Sequence, residues 1–199
     1  ITRIISHQSG TVVLDGKNVS KENTKVLAKK MAILPQTPES ASGLTVGELV
    51  SYGRFPYQTG FGRLSQKDYE VIDWAMKVTN TNTFKYLPVD SLSGGQRQRV
   101  WIAMALAQET EIIFLDEPTT YLDMAHQLEV LELLQRLNQE EKRTIVMVLH
   151  DLNQAARFAD YIVALKDGQI VKAGPCEEVI TKEVLRGVFN IDAEIGIDP

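Results

Sequence analysis

Leu92-Ser93-Gly94-Gly95-Gln96-Arg97-Gln98-Arg99, leading into an apolar run over residues 100–107, is the stretch on which the reading of this chain turns. Ser93 stands three places before Gln96, the spacing of a capping box, in which a hydroxyl and an amide side chain satisfy the free N–H groups of a helix start. A helix is therefore predicted to begin just after Ser93. Gly94 and Gly95 strip its first turn of side chains, so a polyanion can approach the backbone, and the helix dipole adds about half a positive charge at the same point. That is a device for gripping phosphate. An ordinary helix start carries the same cap. From average residue usage, however, this ordered pentapeptide arises by accident in a chain of this size with a probability on the order of 10⁻⁴.

A second motif follows. Ile112-Ile113-Phe114-Leu115 is a continuous apolar run, as expected of a strand buried on both faces of a parallel sheet, and it ends in Asp116-Glu117-Pro118. Carboxylates at a strand's carboxyl end sit where open α/β sheets bind ligands. Asp116 suits a hydrated magnesium ion, and Glu117 can orient or deprotonate an attacking water. Thr144-Ile145-Val146-Met147-Val148-Leu149 repeats the pattern and delivers His150-Asp151, so His150 is expected at the same sheet edge, within reach of a terminal phosphate or the attacking water.

The rest of the chain reads as alternating elements of an α/β fold. A strand over residues 10–14 turns at Asp15-Gly16, a helix covers 22–30, and Met31-Ala32-Ile33-Leu34 begins a strand ending at Gln36. A Thr45/Glu48 capping box opens a helical stretch over 45–51. Gly53, Pro56, Gly60 and Gly62 mark an irregular connection that carries the aromatics Tyr52, Phe55, Tyr57 and Phe61. A helix over 66–79 holds Trp74, Ala75 and Val78. Met124, Leu128, Leu131 and Leu134 form one apolar helix face, which leaves His126 on a wet side; His7 also reads as a surface residue. A helix over 154–159 and a hairpin turning at Lys166-Asp167-Gly168 follow, and Gly174-Pro175 breaks the chain before the last helices.

At 199 residues, with 44% hydrophobic and 24% charged residues, the chain has the composition of a globular protein with one sizeable core. No apolar run approaches the ~18 residues of a membrane span, so any membrane link runs through partners. The net charge of −5 and the sparse Lys29-Lys30 and Arg97/Arg99 argue against a nucleic-acid partner. A single cysteine, Cys176, cannot form an internal disulfide and suits a reducing compartment.

In order along the chain, Gln36, residues 92–96, residues 112–117, Thr120-Tyr121-Leu122-Asp123 and His150 resemble the Q-loop, signature, Walker B, D-loop and H-loop of ABC-transporter ATPases. The resemblance covers nearly the whole chain. It implies a P-loop NTPase-type core with a largely parallel sheet: residues 1–36 as the first part of that core, 37–97 as a helical subdomain ending in the signature, and 98–199 as the remainder. It further implies a head-to-tail dimer in which each ATP lies between one subunit's phosphate loop and the other's signature. On this reading Ser93, Gly94, Gly95 and Gln96 grip a partner's ATP, and Gln36 contacts the metal or water. Asp116 serves the Mg2+ shell, Glu117 the water and His150 the terminal phosphate, while Asp123 packs across the dimer seam.

A narrower resemblance rests on Gly43-Leu44-Thr45-Val46-Gly47-Glu48-Leu49-Val50-Ser51-Tyr52-Gly53-Arg54-Phe55-Pro56-Tyr57, on Tyr121-Leu122-Asp123 and on His150-Asp151-Leu152-Asn153-Gln154. These look like importer ATPases for ferric siderophores, haem and cobalamin, with the ferric-siderophore branch nearest. The partners so implied are a second ATPase subunit, transmembrane permease subunits and, indirectly, a substrate-binding protein. The place implied is the cytoplasmic face of the plasma membrane. A groove among the 52–61 aromatics would receive the permease, or those rings would simply pack the subdomain.

One family motif is absent from these residues. A phosphate loop reads G-x-x-x-x-G-K-[ST], but the Gly16-Lys17 pair is followed by Asn18 and has Thr11 where the first Gly belongs. Ile1-Thr2-Arg3-Ile4-Ile5 resembles the tail of the helix that follows such a loop. The expectation is a chain truncated at its amino end, favoured over a degenerate subunit by the intact Glu117 and His150, and unable by itself to hydrolyse ATP. Two alternatives stand beside it: a non-catalytic subunit that only donates its signature, and an ABC ATPase of DNA repair or translation.

Overall fold

Parallel pairing of three strands sets the frame. The computed structural model describes residues 2–5, 8–36, 41–58 and 62–196 and divides into two units, Ile1–Val148 and Leu149–Pro199. The first unit opens with β1 (Val13–Leu14) and β2 (Lys17–Asn18), an antiparallel hairpin whose turn residues Asp15 and Gly16 both have positive φ, as a two-residue turn between right-twisted strands requires. Next come α1 (Thr24–Leu27), β3 (Met31–Leu34), α2 (Val46–Ser51), α3 (Gln66–Val78), α4 (Gly94–Ala107), β4 (Ile112–Asp116), α5 (Met124–Glu141) and β5 (Thr144–Val148). The sheet order is β3-β4-β5, all parallel.

Helices start where the sequence supplies caps. Thr45, Ser65 and Ser93 each accept from the N–H three residues on, and Glu48, Asp68 and Gln96 reach back, so complete capping boxes open α2, α3 and α4. The second half of α4 buries Val100, Ile102, Ala103, Ala105, Leu106 and Ala107, which is the mark of a helix surrounded by core. That core also takes Ala32 and Leu34 from β3, Ile113 and Leu115 from β4, and Leu133, Leu134 and Leu137 from α5. Each such Leu, Ile or Val contributes roughly 1.5–3 kcal/mol through burial.

The second unit contains α6 (Leu152–Phe158), the antiparallel hairpin β6 (Tyr161–Lys166) and β7 (Gln169–Pro175), then α7 (Cys176–Val179) and α8 (Lys182–Phe189). Its small core joins Ala164, Val179 and Val188. Cys176 directs its thiol to the Ala156 carbonyl, 3.2 Å away.

Several sequence expectations need correction. The strand expected over 10–14 is confined to Val13–Leu14, because only those residues face the returning β2. The helix expected over 22–30 is a single turn, since Asn23 caps it at Thr24 and β3 begins at Met31. The strand expected to end at Gln36 stops at Leu34, where Pro35 has no N–H to give to a ladder. The tail-like segment 2–5 is not helical. The irregular connection after Ser51 is a 3₁₀ helix over Tyr52–Tyr57. Among the described residues the run 144–149 is not buried on both faces: β5 stands at one end of the sheet order, and Val146 and Val148 are exposed. Met124 is 78% exposed rather than part of the apolar face of α5. His7, Gly60 and Phe61 lie outside the described residues.

The 3₁₀ segment is held by a buried cation. Arg54, 1% exposed, donates to Asp68 on α3, to the Ala107 carbonyl at the end of α4 and to Glu109, each at 2.7 Å, and its guanidinium stacks 3.9 Å from the Tyr57 ring. Burial pushes the Asp68 carboxyl upward, but hydrogen bonds from Ser65 and from Arg54 outweigh it and hold the group below its ordinary value. Its stabilising contribution is therefore complete above the usual carboxylate pKa, near ~4, and is lost as pH falls through the lower folded value. Asp68→Ala removes one of the two carboxylates that pair the buried guanidinium and is expected to lower unfolding free energy by about 3 kcal/mol. Asp68→Asn should also flatten the acid limb of the stability profile. Denaturant melts between pH 3 and 7 check both, and an unchanged midpoint in both variants contradicts the assignment.

Candidate functional site

Strand register builds the first half of the site. Leu34 on β3 pairs with Leu115 on β4, so two residues further along each chain Gln36 and Glu117 arrive side by side although 81 positions separate them. Gln36 Nε2 donates to Glu117 Oε2. Glu117 has φ +49°, a left-handed conformation uncommon for a non-glycine residue, and it turns the chain sharply at the strand end. Thr120 Oγ1 donates to the same Oε2 at 2.9 Å, so two donors fix one oxygen of the carboxylate. Gln36 and Asp116, the last residue of β4, are exposed. Among the described residues no three His, Cys, Asp or Glu side chains gather as a metal cage. The donor set of Asp116 with the Gln36 side-chain oxygen fits a magnesium ion that keeps waters and arrives with substrate phosphates.

The second half is the start of α4. The Ser93 backbone N–H donates to Gln96 Oε1 at 3.0 Å and the Gln96 N–H to Ser93 Oγ at 3.3 Å, closing the expected box. Ser93 and Gly94 are exposed, leaving the helix start open to an incoming group at those two residues, whereas Gly95 is buried. The roof over Gly95 is His126. A Cβ on Gly95 would lie 2.5 Å from His126 Cδ2 and 2.9 Å from Cγ, closer than real Cβ contacts allow, so only glycine fits.

Asp123 joins the halves. It caps α5, accepting the His126 N–H at 3.0 Å, and both its carboxylate oxygens lie 2.8 Å from His126 Nδ1. The backbone bond from His126, then the bond from its ring, hold the Asp123 carboxyl below the ordinary carboxylate value. Gln127 Nε2 donates to the Thr119 and Leu122 carbonyls and so locks the turn that runs from Glu117 to Asp123. Leu122 approaches Gly94, 3.7 Å from where a Cβ would sit.

His150 belongs to the second unit. It is exposed and stands just before Asp151, whose carboxylate caps α6 through the Asn153 and Gln154 amides at 2.8 and 3.0 Å. In the first unit the predicted residues gather as the pair Gln36 and Glu117 and as the group Ser93, Gly94, Gly95, Gln96 and Asp123. Sequence reasoning missed the roles of Gln127 and His126, and placed Thr120 in the D-loop without its bond to Glu117. For His126 a signal existed: Asp123 three places before it has N-cap spacing, which places the side chain back over the helix start rather than on a wet face.

Losing the cap is expected to cost about 1 kcal/mol in Ser93→Ala, whereas Ser93→Asp keeps a competent cap with a favourable dipole and should melt within a degree or two of the parent. Thermal melts of the two variants check this; equal destabilisation by both would show that Ser93 does not act as the cap.

Comparison with known proteins supplies the family and the fold. The ABC transporter family profile matches residues 1–120. The iron(3+)-hydroxamate import ATP-binding protein FhuC of Bacillus subtilis (strain 168) is 60% identical over all 199 residues, and the chain spans 74% of its length. Among solved structures, an inward-facing metal-chelate type ABC transporter superposes with a TM-score of 0.78 at 34% identity, covering 82% of this chain and 64% of that one, so the chain spans less than two thirds of that protein. The ATP-binding cassette MJ0796, solved as a dimer in a post-hydrolysis state with ADP and Pi, gives 0.71 at 31% identity, covering 85% and 74%. The family resemblance read from the sequence is thereby borne out: the chain belongs to the ABC transporter family, among its ATPase cassettes.

Proposed function

We propose that this chain is the ATP-hydrolysing cassette of an importer for iron–siderophore complexes, working as a head-to-tail dimer. The observation that carries the catalytic part is the meeting of Gln36 and Glu117 at adjacent strand ends, with Thr120 donating to the same carboxylate oxygen. The cargo class is supported by the iron(3+)-hydroxamate importer subunit, a match that runs the whole length of this chain.

In this reading Ser93 and the amides of Gly94 and Gly95 donate to the terminal phosphate of a nucleotide seated on the partner subunit. Glu117 receives a proton from the attacking water as the water oxygen bonds to the γ-phosphorus and the bond to ADP breaks. Gln36 keeps the carboxylate aimed, and its side-chain oxygen with Asp116 would hold magnesium, which supplies charge neutralisation on the phosphate oxygens. His150 hydrogen-bonds the terminal phosphate, and Asp123 lies at the dimer seam. Residues 37–97 act as the helical subdomain that moves against the core, with 1–36 and 98–199 as the core itself.

Among the described residues no helix is long and apolar enough to cross a membrane. In this reading the permease subunits, fed by a substrate-binding protein, carry the membrane passage, and the cassette sits on their cytoplasmic side. Tyr52 and Phe55, exposed and in ring contact at 5.5 Å, form the surface offered to the permease. Tyr57 belongs to the packing instead, because its hydroxyl donates to the Gln108 carbonyl at 3.0 Å and its ring lies on Arg54.

The test uses the full-length subunit assembled with its permease in vesicles. Glu117→Gln should lower ATP turnover by at least ~10²-fold and abolish uptake of a ferric hydroxamate while ATP binding persists. Replacing Tyr52 and Phe55 together by Ala should leave basal turnover intact and remove its coupling to uptake. Turnover at the parent rate in Glu117→Gln contradicts the catalytic assignment, and full uptake by the aromatic double variant contradicts the docking surface.

A further inference from the structure

Resting on the head-to-tail reading above, we propose that His126 is a positioning residue for ATP-driven association: its imidazole, clamped by Asp123 and pressed on Gly95, holds the first turn of α4 in the shape that receives the partner's nucleotide. Four observations converge on it. The ring fills the space a side chain at position 95 would need, so ring and glycine fit as a pair. Both oxygens of Asp123 lie 2.8 Å from Nδ1, which fixes the ring plane and directs the Nδ1 proton to the carboxylate. The His126 side chain keeps 38% of its surface exposed and belongs to none of the buried clusters, so core packing does not account for its placement. Arg99 on α4 meets Glu129 on α5 at 2.6 Å, one helical turn beyond, and Leu122, just before α5, lies 3.7 Å from where a Cβ on Gly94 would sit, so the segment 122–129 lies along the start of α4.

The consequence is mechanical. The amides of Gly94 and Gly95 grip a phosphate only if the turn keeps its shape as the nucleotide arrives, and misplacement of a binding group by a few tenths of an ångström already weakens such sites. The brace is continuous with the turn that holds Glu117, through Thr120 and Gln127. One segment therefore orders both the carboxylate a subunit uses on its own nucleotide and the surface it lends to its neighbour.

The experiment places His126→Ala and His126→Phe in a full-length Glu117→Gln background, where ATP is bound but not consumed, and measures ATP-driven dimerisation by sedimentation alongside monomer ATP affinity and melting temperature. His126→Ala should weaken dimerisation about tenfold with monomer ATP affinity and melting temperature unchanged, and His126→Phe, which restores a ring over Gly95, should recover part of the loss. Dimerisation of His126→Ala at the parent constant overturns the proposal, as does a parallel fall of dimerisation, monomer affinity and melting temperature, which marks a merely structural role. Ser93→Asp in the same background separates the two readings: if it dimerises like the parent, the head-to-tail reading fails; if only the His126 variants do, the inference alone fails.

Discussion

The parallel pairing of β3 with β4 is the constraint from which the site follows. Because Leu34 faces Leu115, the residues just beyond both strand ends are forced together, and an amide and a carboxylate separated by most of the first unit become hydrogen-bonded neighbours. A slip of one residue would separate Gln36 from Glu117 and turn every strand side chain to the opposite face. Apolar burial fixes the register. Ala32, Leu34, Ile113 and Leu115 all lie in the main core, against the helices that pack on the sheet.

A second constraint acts at the start of α4. A capping box satisfies the helix's own donors only in part, so a helix that begins with two glycines keeps exposed amides at its positive end. Capping and phosphate binding are thus not competing explanations of Ser93. The cap gives the turn its shape, and the turn's remaining donors are what an anion meets. Gly95 serves the fold as well, because the His126 ring occupies the place of its absent side chain.

Local chemistry was legible in the sequence, and long-range chemistry was legible only where a strand carried it. The boxes at Thr45 and Ser93 and the Asp-Gly turn at Asp15-Gly16 follow from spacings of a few residues, and all appear as read. Gln36 and Glu117 could be named individually, but only the register brings them together. The 3₁₀ helix over Tyr52–Tyr57 escaped because Gly53 and Pro56 signal irregularity, whereas Arg54, reaching Asp68 and Glu109, supplies the tertiary hold that overrides the local signal. The run at 144–149 misled because an edge strand and a central strand can share the same β-branched composition. His126 was set aside because helical periodicity describes which face is wet, not what the first turn of a neighbouring helix needs.

The central claim is that one subunit supplies Glu117 to the same nucleotide to which its neighbour supplies Ser93. Mixing full-length Ser93→Asp subunits with full-length Glu117→Gln subunits tests it directly, since each is inactive alone and their heterodimer contains one intact composite site. ATP turnover recovering on mixing, toward half of the parent rate per heterodimer, is the predicted result. Continued inactivity of a mixture shown to contain heterodimers would contradict the account, because it would place both residues on the same subunit's nucleotide.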